Sequence, residues 1–577
     1  MSISMSYKSS PLLASRTPVW RSKFVVAVTA VAFITLIVRA FYIQVGNNNF
    51  FQKQGAVRFA RTLEIPANRG RILDRNGFIL ASSVPSSSIY AVAEDIELND
   101  IQKNRLTRLL NIKKDGLNKS KGKGFIWLKR QVDESVAREV ASMGLKGIYS
   151  QKEYRREYPG GQAVAHVVGF NNVEDKGQEG VELAFDEVLQ GVNGFRRVIK
   201  DRMGRVVEVL GETIEPRDGK DLQLSIDSNI QFFAFQKLKE AVEINKAKAG
   251  SVVVIDAQTG EVLALTNYPS FYPMKREKLT GEQLRNRAVT DTFEPGSVIK
   301  PFTIALALET GRLKPESKID TGNGRFTITG ASISDTHANG ILSVQEVIEK
   351  SSNIGTAKIA LQLKPDEMWD FFTQSGFGQK PQIKFPGVVS GRLRPAKTWR
   401  PIEQATMSYG YGLSASLFQM VRSYTVFSNN GEIIPLTLLK SSTPAHGIQV
   451  LSSKTAKQIR TMLQMAAGPQ GTGARAQTIG YSVGGKSGTA YKQIGKGYGT
   501  PGNRKYRGWF VGMAPIENPR IVVGVMIDEP SGGQYYGGVV AAPVFSEVVQ
   551  QTLRAMNIQP DLNFKPEIIA DLVQESS

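Results

Sequence analysis

Residues 24–38 read FVVAVTAVAFITLIV, a run without a charge, and after Arg39 the apolar pattern resumes as AFYIQV. The combined stretch is about 22 residues, which at ~1.5 Å per residue crosses a hydrocarbon core of about 30 Å. It predicts one membrane-spanning helix over 24–45, with Arg39 snorkelling toward an interface. The run is longer than the ~7–15 apolar residues of a cleaved signal sequence, and no small-x-small site follows it in a polar setting. The preceding tail, 1–23, carries Lys8, Arg16, Arg21 and Lys23 and no acid. That bias keeps the amino terminus cytoplasmic and sends the body across the membrane. No second stretch of this kind follows.

Beyond the anchor, residues 46–62 read as a stalk. From 63 to 220 short strands and turns are expected, with helical patches near 96–112 and 131–143 and a solvated basic loop, KKDGLNKSKGKG, at 113–124. The pattern changes at DLQLSID, from residue 221, where strand alternation leads into an amphipathic helix near 228–246. SVVVIDAQTGEVLAL (251–265) then reads as two apolar strands joined by a tight turn. Helices are expected near 297–310, 343–362, 415–429 and 453–466. YSVGGKSGTAYK, RGWFVGMAP and RIVVGVMID return to strand type. A helix-rich middle flanked by strands predicts one α/β domain (221–557) whose sheet joins distant segments, followed by a tail, 558–577.

The chain has 577 residues, 41% of them hydrophobic, values that fit roughly two to four globular domains. Its net charge of +20 suits nucleic acid, anionic lipid or an acidic polymer. Neither a zinc-finger spacing nor an RNA-recognition pattern occurs, so a nucleic-acid partner is not expected. Cysteine is absent, which excludes thiol catalysis, thiolate metal sites and disulfides. The three histidines, His166, His337 and His446, stand at no metal-ligand spacing, so a zinc site or a Ser-His-Asp triad is poorly supplied.

The chemistry concentrates in Glu294-Pro-Gly-Ser297-Val-Ile-Lys300. Pro-Gly forces a turn and the residues after it have helical spacing, so Ser297 is expected to open a helix with the Lys300 amine on the same face. A lysine whose pKa is lowered by burial or by a second cation can deprotonate a serine hydroxyl. The helix start also offers N–H groups to an oxyanion. A second Ser-x-x-Lys, Ser120 to Lys123, lies in the glycine-lysine loop, where nothing desolvates the lysine. Ser351-Ser352-Asn353 follows a helical pattern, and by itself fits a cap or turn. Lys486-Ser487-Gly488-Thr489 sits in a strand-like segment: a cation, two hydroxyls suited to a carboxylate, and a glycine that permits close backbone approach. Gly480 to Ser487 also matches a phosphate-loop pattern, but GARAQTI before it is a weak strand and GTAYKQIGKGYG after it cannot make a long helix.

Ser-x-x-Lys, Ser-x-Asn and Lys-Ser-Gly-Thr in this order resemble the penicillin-recognising acyl-serine transferases. Spacings of 54 and 135 residues resemble penicillin-binding proteins more than compact β-lactamases. RGRILDRNG (69–77) with Leu80-Ala81-Ser82, YPGGQAVAHVVGF (158–170) and GQEGVELAFDEVLQG (177–191) are similar to the amino-terminal pedestal of the class B members, and MSYGYGLSAS to their division-specific (FtsI) type. The elongation-specific type is the nearer competitor; a D,D-carboxypeptidase or β-lactamase-type hydrolase carries the same motifs. The tract NYPSFYPM lacks the family's usual Asn-Pro-Asn ending, and Ser487 stands where Thr is common.

The resemblance implies a mixed sheet flanked by helices, an elongated, mainly β pedestal over 46–220 and a single amino-terminal anchor in an inner membrane. It implies peptidoglycan cross-linking outside the membrane. Ser297 would attack the penultimate D-Ala carbonyl, Lys300 take its proton, Ser351 relay a proton to the leaving amine beside Lys486, and Asn353 hold the donor amide and support Lys300. Ser487, Gly488 and Thr489 would bind the substrate's carboxylate end, with the N–H groups of Ser297 and Thr489 as oxyanion hole. No metal or cofactor is implied. The implied partners are stem peptides on lipid-linked precursor or nascent glycan, β-lactams, a membrane glycan polymerase (FtsW type) and other division proteins. For Asp74 and Arg75 a structural pair and a partner contact both stay open; His166 is expected to pack or hydrogen-bond.

Overall fold

The computed structural model describes residues 18–46, 60–113, 124–200 and 206–562, except 494, 496 and 501. Lys8, Arg16, most of the stalk and of the basic loop, the Ser120–Lys123 pair and residues 563–577 lie outside the described residues. The anchor expectation falls on a helix, Val19–Phe41, that continues to Gly46 and whose apolar side chains are exposed along its length. Among the described residues it is the one helix long and apolar enough to cross a membrane.

The pedestal is built on a strand longer than the pattern predicted, Ile79–Val92, flanked by Phe125–Val132 and Ile148–Glu157. Helices Asp100–Leu110 and Glu134–Ser142 occupy the expected patches and bury Leu106, Leu110, Ala137 and Val140 against Ile89 and Ala91. Ala60–Ile65, Gly194–Lys200 and Val206–Ile214 form a separate three-stranded sheet. Between them Glu182, wholly buried, takes Arg69 Nε on one carboxylate oxygen and Arg156 Nε on the other, each at 2.7 Å. Paired and hydrogen-bonded in this way, three buried charges are tolerated and fix the geometry around them.

The second module is a five-stranded sheet of β1 (Ala249–Asp256), β2 (Val262–Tyr268), β3 (Gly484–Tyr491), β4 (Tyr506–Ala514) and β5 (Ile521–Asp528), ordered β2-β1-β5-β4-β3. Four helices matter to it: α1 (Ser228–Ile244), α2 (Lys300–Glu309), α3 (Asn353–Ala360) and α4 (Ala542–Ala555). Side chains alternate across a strand, and both faces here are covered. Val252, Val254, Val523 and Val525 pack with Leu238 of α1 and Phe545 of α4, while Val253, Ile255, Val522 and Met526 pack with Val298 and Phe302. That double burial is why these strands read as unbroken apolar runs. Among the described residues edge strand β3 has one side unpaired.

Arg75 reaches Glu261 of the sheet module at 3.1 Å, and Asp74 accepts from Asn76 N, Phe78 N and Ser228 N. Both residues therefore join the pedestal to the second module.

Candidate active site

Three segments far apart in the chain meet beside β3. Residues Gly296–Ile299 form a tight 3₁₀ turn and the α-helix starts only at Lys300, so Ser297 stands one turn before it instead of opening it. The turn is set by Gly296, whose φ of 58° an L side chain rarely adopts, and by Pro301, which fits a first helical turn. Gly410 closes against it: a Cβ there would lie 2.1 Å from Gly296 O. Tyr424 Oη donates to Val298 O at 2.7 Å from below. Ser297 is half-buried, and its hydroxyl makes no hydrogen bond among the described residues.

Lys300 is fully buried. Its amine donates to Ser351 O at 2.5 Å and to Ser351 Oγ at 3.2 Å. Burial drives this amine well below the ordinary lysine value; the charge of Lys486 pushes the same way and Asp335 opposes them. Lys486, equally buried, is lowered by desolvation to about 7, and donates to Ser487 O at 3.1 Å and Thr472 Oγ1 at 3.3 Å.

The single helix expected over 343–362 is two, Val344–Glu349 and α3, broken at Ser351, which sits at φ 58°. Ser352 is the N-cap of α3, accepting from Gly355 N at 2.8 Å. Asp335 holds the break from outside: it accepts from Ser352 Oγ (2.5 Å), Asn353 N (2.6 Å) and Ile354 N (3.0 Å). The Asn353 amide donates to Ser334 O at 3.0 Å and makes no hydrogen bond to Lys300. So both readings of this tract apply: it caps a helix, and it presents Ser351 to the lysine.

Lys486–Thr489 lie within β3, which removes the phosphate-loop alternative, because among the described residues the next element is strand β4 and not a helix. Ser487 Oγ and Thr472 Oγ1 lie 2.8 Å apart, and Thr489 Oγ1 accepts from Gly537 N at 3.0 Å. Gly488 does admit a close backbone, but it is the chain's own: an added Cβ would stand 3.0 Å from Pro295 O and 3.0 Å from Val298 Cγ1. The strand is thus pressed onto the turn that carries Ser297. No motif in the sequence points to Asp335 or Thr472. The only signal for Thr472 is its place between Gly471 and Gly473, and Asp335 gives none. Among the described residues no cluster of His, Cys, Asp or Glu could hold a metal.

Residues 250–550 match the penicillin-binding protein transpeptidase domain and residues 64–224 the penicillin-binding protein dimerisation domain. The chain belongs to the penicillin-binding proteins. Both modules together place it in class B. This penicillin-binding protein is 42% identical over 547 residues to "Probable peptidoglycan D,D-transpeptidase PenA" of Neisseria gonorrhoeae, covering 94% of this chain and 93% of that protein. It is 37% identical over 556 residues to "Peptidoglycan D,D-transpeptidase FtsI" of Escherichia coli K12, with 94% and 93% covered. The transpeptidase domain of Burkholderia pseudomallei penicillin-binding protein 3 superposes with a TM-score of 0.54 at 53% identity, over 59% of this chain and 98% of that one. A peptidoglycan synthetase from Bifidobacterium adolescentis, at 23% identity, shares the fold of both modules: TM-score 0.69, covering 88% of this chain and 98% of that one.

Proposed function

We propose that this chain is a septal peptidoglycan D,D-transpeptidase working on the outer side of the cytoplasmic membrane through an acyl-enzyme on Ser297. The observation that carries this reading is the Lys300 amine, buried, three residues after Ser297, bonded to Ser351 and opposed by the charge of Lys486. A neutral amine there is a base for the serine proton. Ser297 Oγ attacks the penultimate D-Ala carbonyl, Lys300 takes the proton, and Ser351 passes one to the departing D-Ala amine. Backbone N–H groups of Ser297 and Thr489 face the oxyanion, supported by the close packing of Gly488 on the turn. Ser487, Thr489 and Lys486 hold the terminal carboxylate, and Asn353 the donor amide. An amine from a second stem then releases the acyl group. β-Lactams acylate Ser297 because their strained amide imitates the same bond.

The division we propose is a cytoplasmic tail to 23, an anchor over 24–45, a pedestal over 46–220, a transpeptidase module over 221–557 and a tail beyond it. The partners we assign are stem peptides on lipid-linked precursor or nascent glycan, a membrane glycan polymerase and other division proteins. Ser297→Ala abolishes labelling by a fluorescent penicillin without lowering Tm; undiminished labelling places the nucleophile elsewhere. Depletion in cells gives filaments for a septal enzyme and spheres for an elongation enzyme.

A further inference from the structure

A crevice of about 570 Å³ opens at the end of the sheet where β1 and β4 begin and β5 finishes; Lys246, Lys248, Arg504, Lys505, Tyr506 and Tyr535 line it. Its one acid, Glu529, is taken by Lys505 at 2.5 Å, and Lys248 pairs with Glu282 at 2.9 Å. Lys246 and Arg504 have no acidic partner among the described residues; the Arg504 guanidinium lies over the Tyr491 ring at 4.9 Å. The wall is firm. Ser531 N and Gly532 N donate to Asn245 O, Ser531 Oγ donates to Lys246 O, and Tyr506 stacks on Tyr535 at 3.9 Å. Two uncompensated cations across a stiff, aromatic-walled crevice are a receptor for carboxylates.

Its position says whose. Tyr491 at the end of β3 pairs in register with Tyr506 of the crevice. Tyr491 lies two residues past Thr489, about 7 Å at ~3.3 Å per residue. A donor peptide laid antiparallel on the free edge of β3, its terminal carboxylate at Ser487, sends its preceding residues past Tyr491. We propose that the crevice binds the free carboxylates of the donor stem upstream of its terminal dipeptide, an inference that rests on the transpeptidase reading above. Those carboxylates meet Lys246 and Arg504 and set the donor's register before Ser297 attacks.

The test compares two synthetic depsipeptide donors that share a D-Ala-D-lactate end, one with free and one with amidated upstream carboxylates. Acylation is followed in the full-length enzyme in detergent, with active molecules titrated by fluorescent penicillin. The wild type should prefer the free-carboxylate donor by ~10-fold in kcat/KM, as for one charge-assisted contact made in the transition state. Lys246→Gln and Arg504→Gln should each shrink the ratio toward one, and because it is taken within each protein, a partly unfolded variant still reports. Equal rates for both donors in the wild type, or a preference that survives in both variants, overturns the subsite. Failure of the wild type to bind penicillin at all would instead strike the transpeptidase reading.

Discussion

Lys300 and Lys486 share a buried site, and the expected consequence is a dependence of acylation on pH. Below its lowered pKa Lys300 gains a proton and ceases to be a base, so acylation rises with pH through that value. Lys486, near 7, is charged below and neutral above, so a carboxylate it anchors is lost as pH climbs past that point. Penicillin acylation should therefore fall on the alkaline side with a midpoint near 7. Lys486→Arg should push that limb up by ~2 units or more, since guanidinium stays charged. A limb that stays in place in the arginine variant belongs to another group. Asp335 acts through position: it fastens Ser352, Asn353 and Ile354, and so holds Ser351 at a φ of 58° under the Lys300 amine. Asp335→Asn keeps the shape but weakens three charge-assisted bonds. We expect a loss of about 1–2 kcal/mol in stability, as for a helix cap, and a fall of ~10-fold or more in acylation rate. Calorimetry with stopped-flow acylation checks both, and unchanged acylation would mean that Ser351 keeps its place unaided.

The pedestal helix Gly161–Val168 is pinned to the transpeptidase module by bonds that run in both directions. Gln231 Nε2 donates to Ala163 O, Ser270 Oγ to Gln162 O, Asn286 Nδ2 to His166 O, and the His166 imidazole meets Gln283 O at 2.8 Å. Burial, aided by Arg287, holds that imidazole neutral down to about 4, although its bond to Gln283 opposes them. Unfolded, the ring takes its proton near 6.5, so between about 6.5 and 4 the unfolded chain binds more protons and stability drops as pH falls. The full effect is about 3 kcal/mol. His166→Gln should narrow the gap in Tm between pH 7 and about 4.5; a gap as wide as that of the wild type would free His166 from this role. The same elements show what a sequence makes legible. Strands β1 and β5 could be read because burial on both faces fills their middles with apolar residues, Val252 to Ile255 and Ile521 to Ile527, and the three motifs because their chemistry is local. The break at Ser351 could not, since Asp335 fastens the adjacent Ser352 from 17 residues away. Nor could the pairing of β1 with β5, which joins Ala249 to Asp528, because strand order follows from tertiary packing and periodicity carries no trace of it.

At the scale of the whole molecule, the anchor and the catalytic module are solved by different solvents. From Val19 to Phe41 the apolar side chains are uncovered by protein, an arrangement stable in lipid, where a helix satisfies its own backbone. The transpeptidase module has its own double-faced core, and every segment of the candidate site is fixed from within it, by Gly410, Tyr424, Asp335 and Thr472. The pedestal joins it through Arg75–Glu261 and the helix carrying His166, neither of which involves the anchor. Removing residues 1–45 should therefore leave penicillin acylation within ~2-fold, as for sites without shared contacts, while moving the protein from the membrane to the soluble fraction. Fractionation followed by fluorescent-penicillin labelling reads both at once. A soluble chain that no longer labels would show that the anchor supports the fold of the site, whereas a labelled chain that no longer supports growth in place of the intact protein would show that its contribution is location alone.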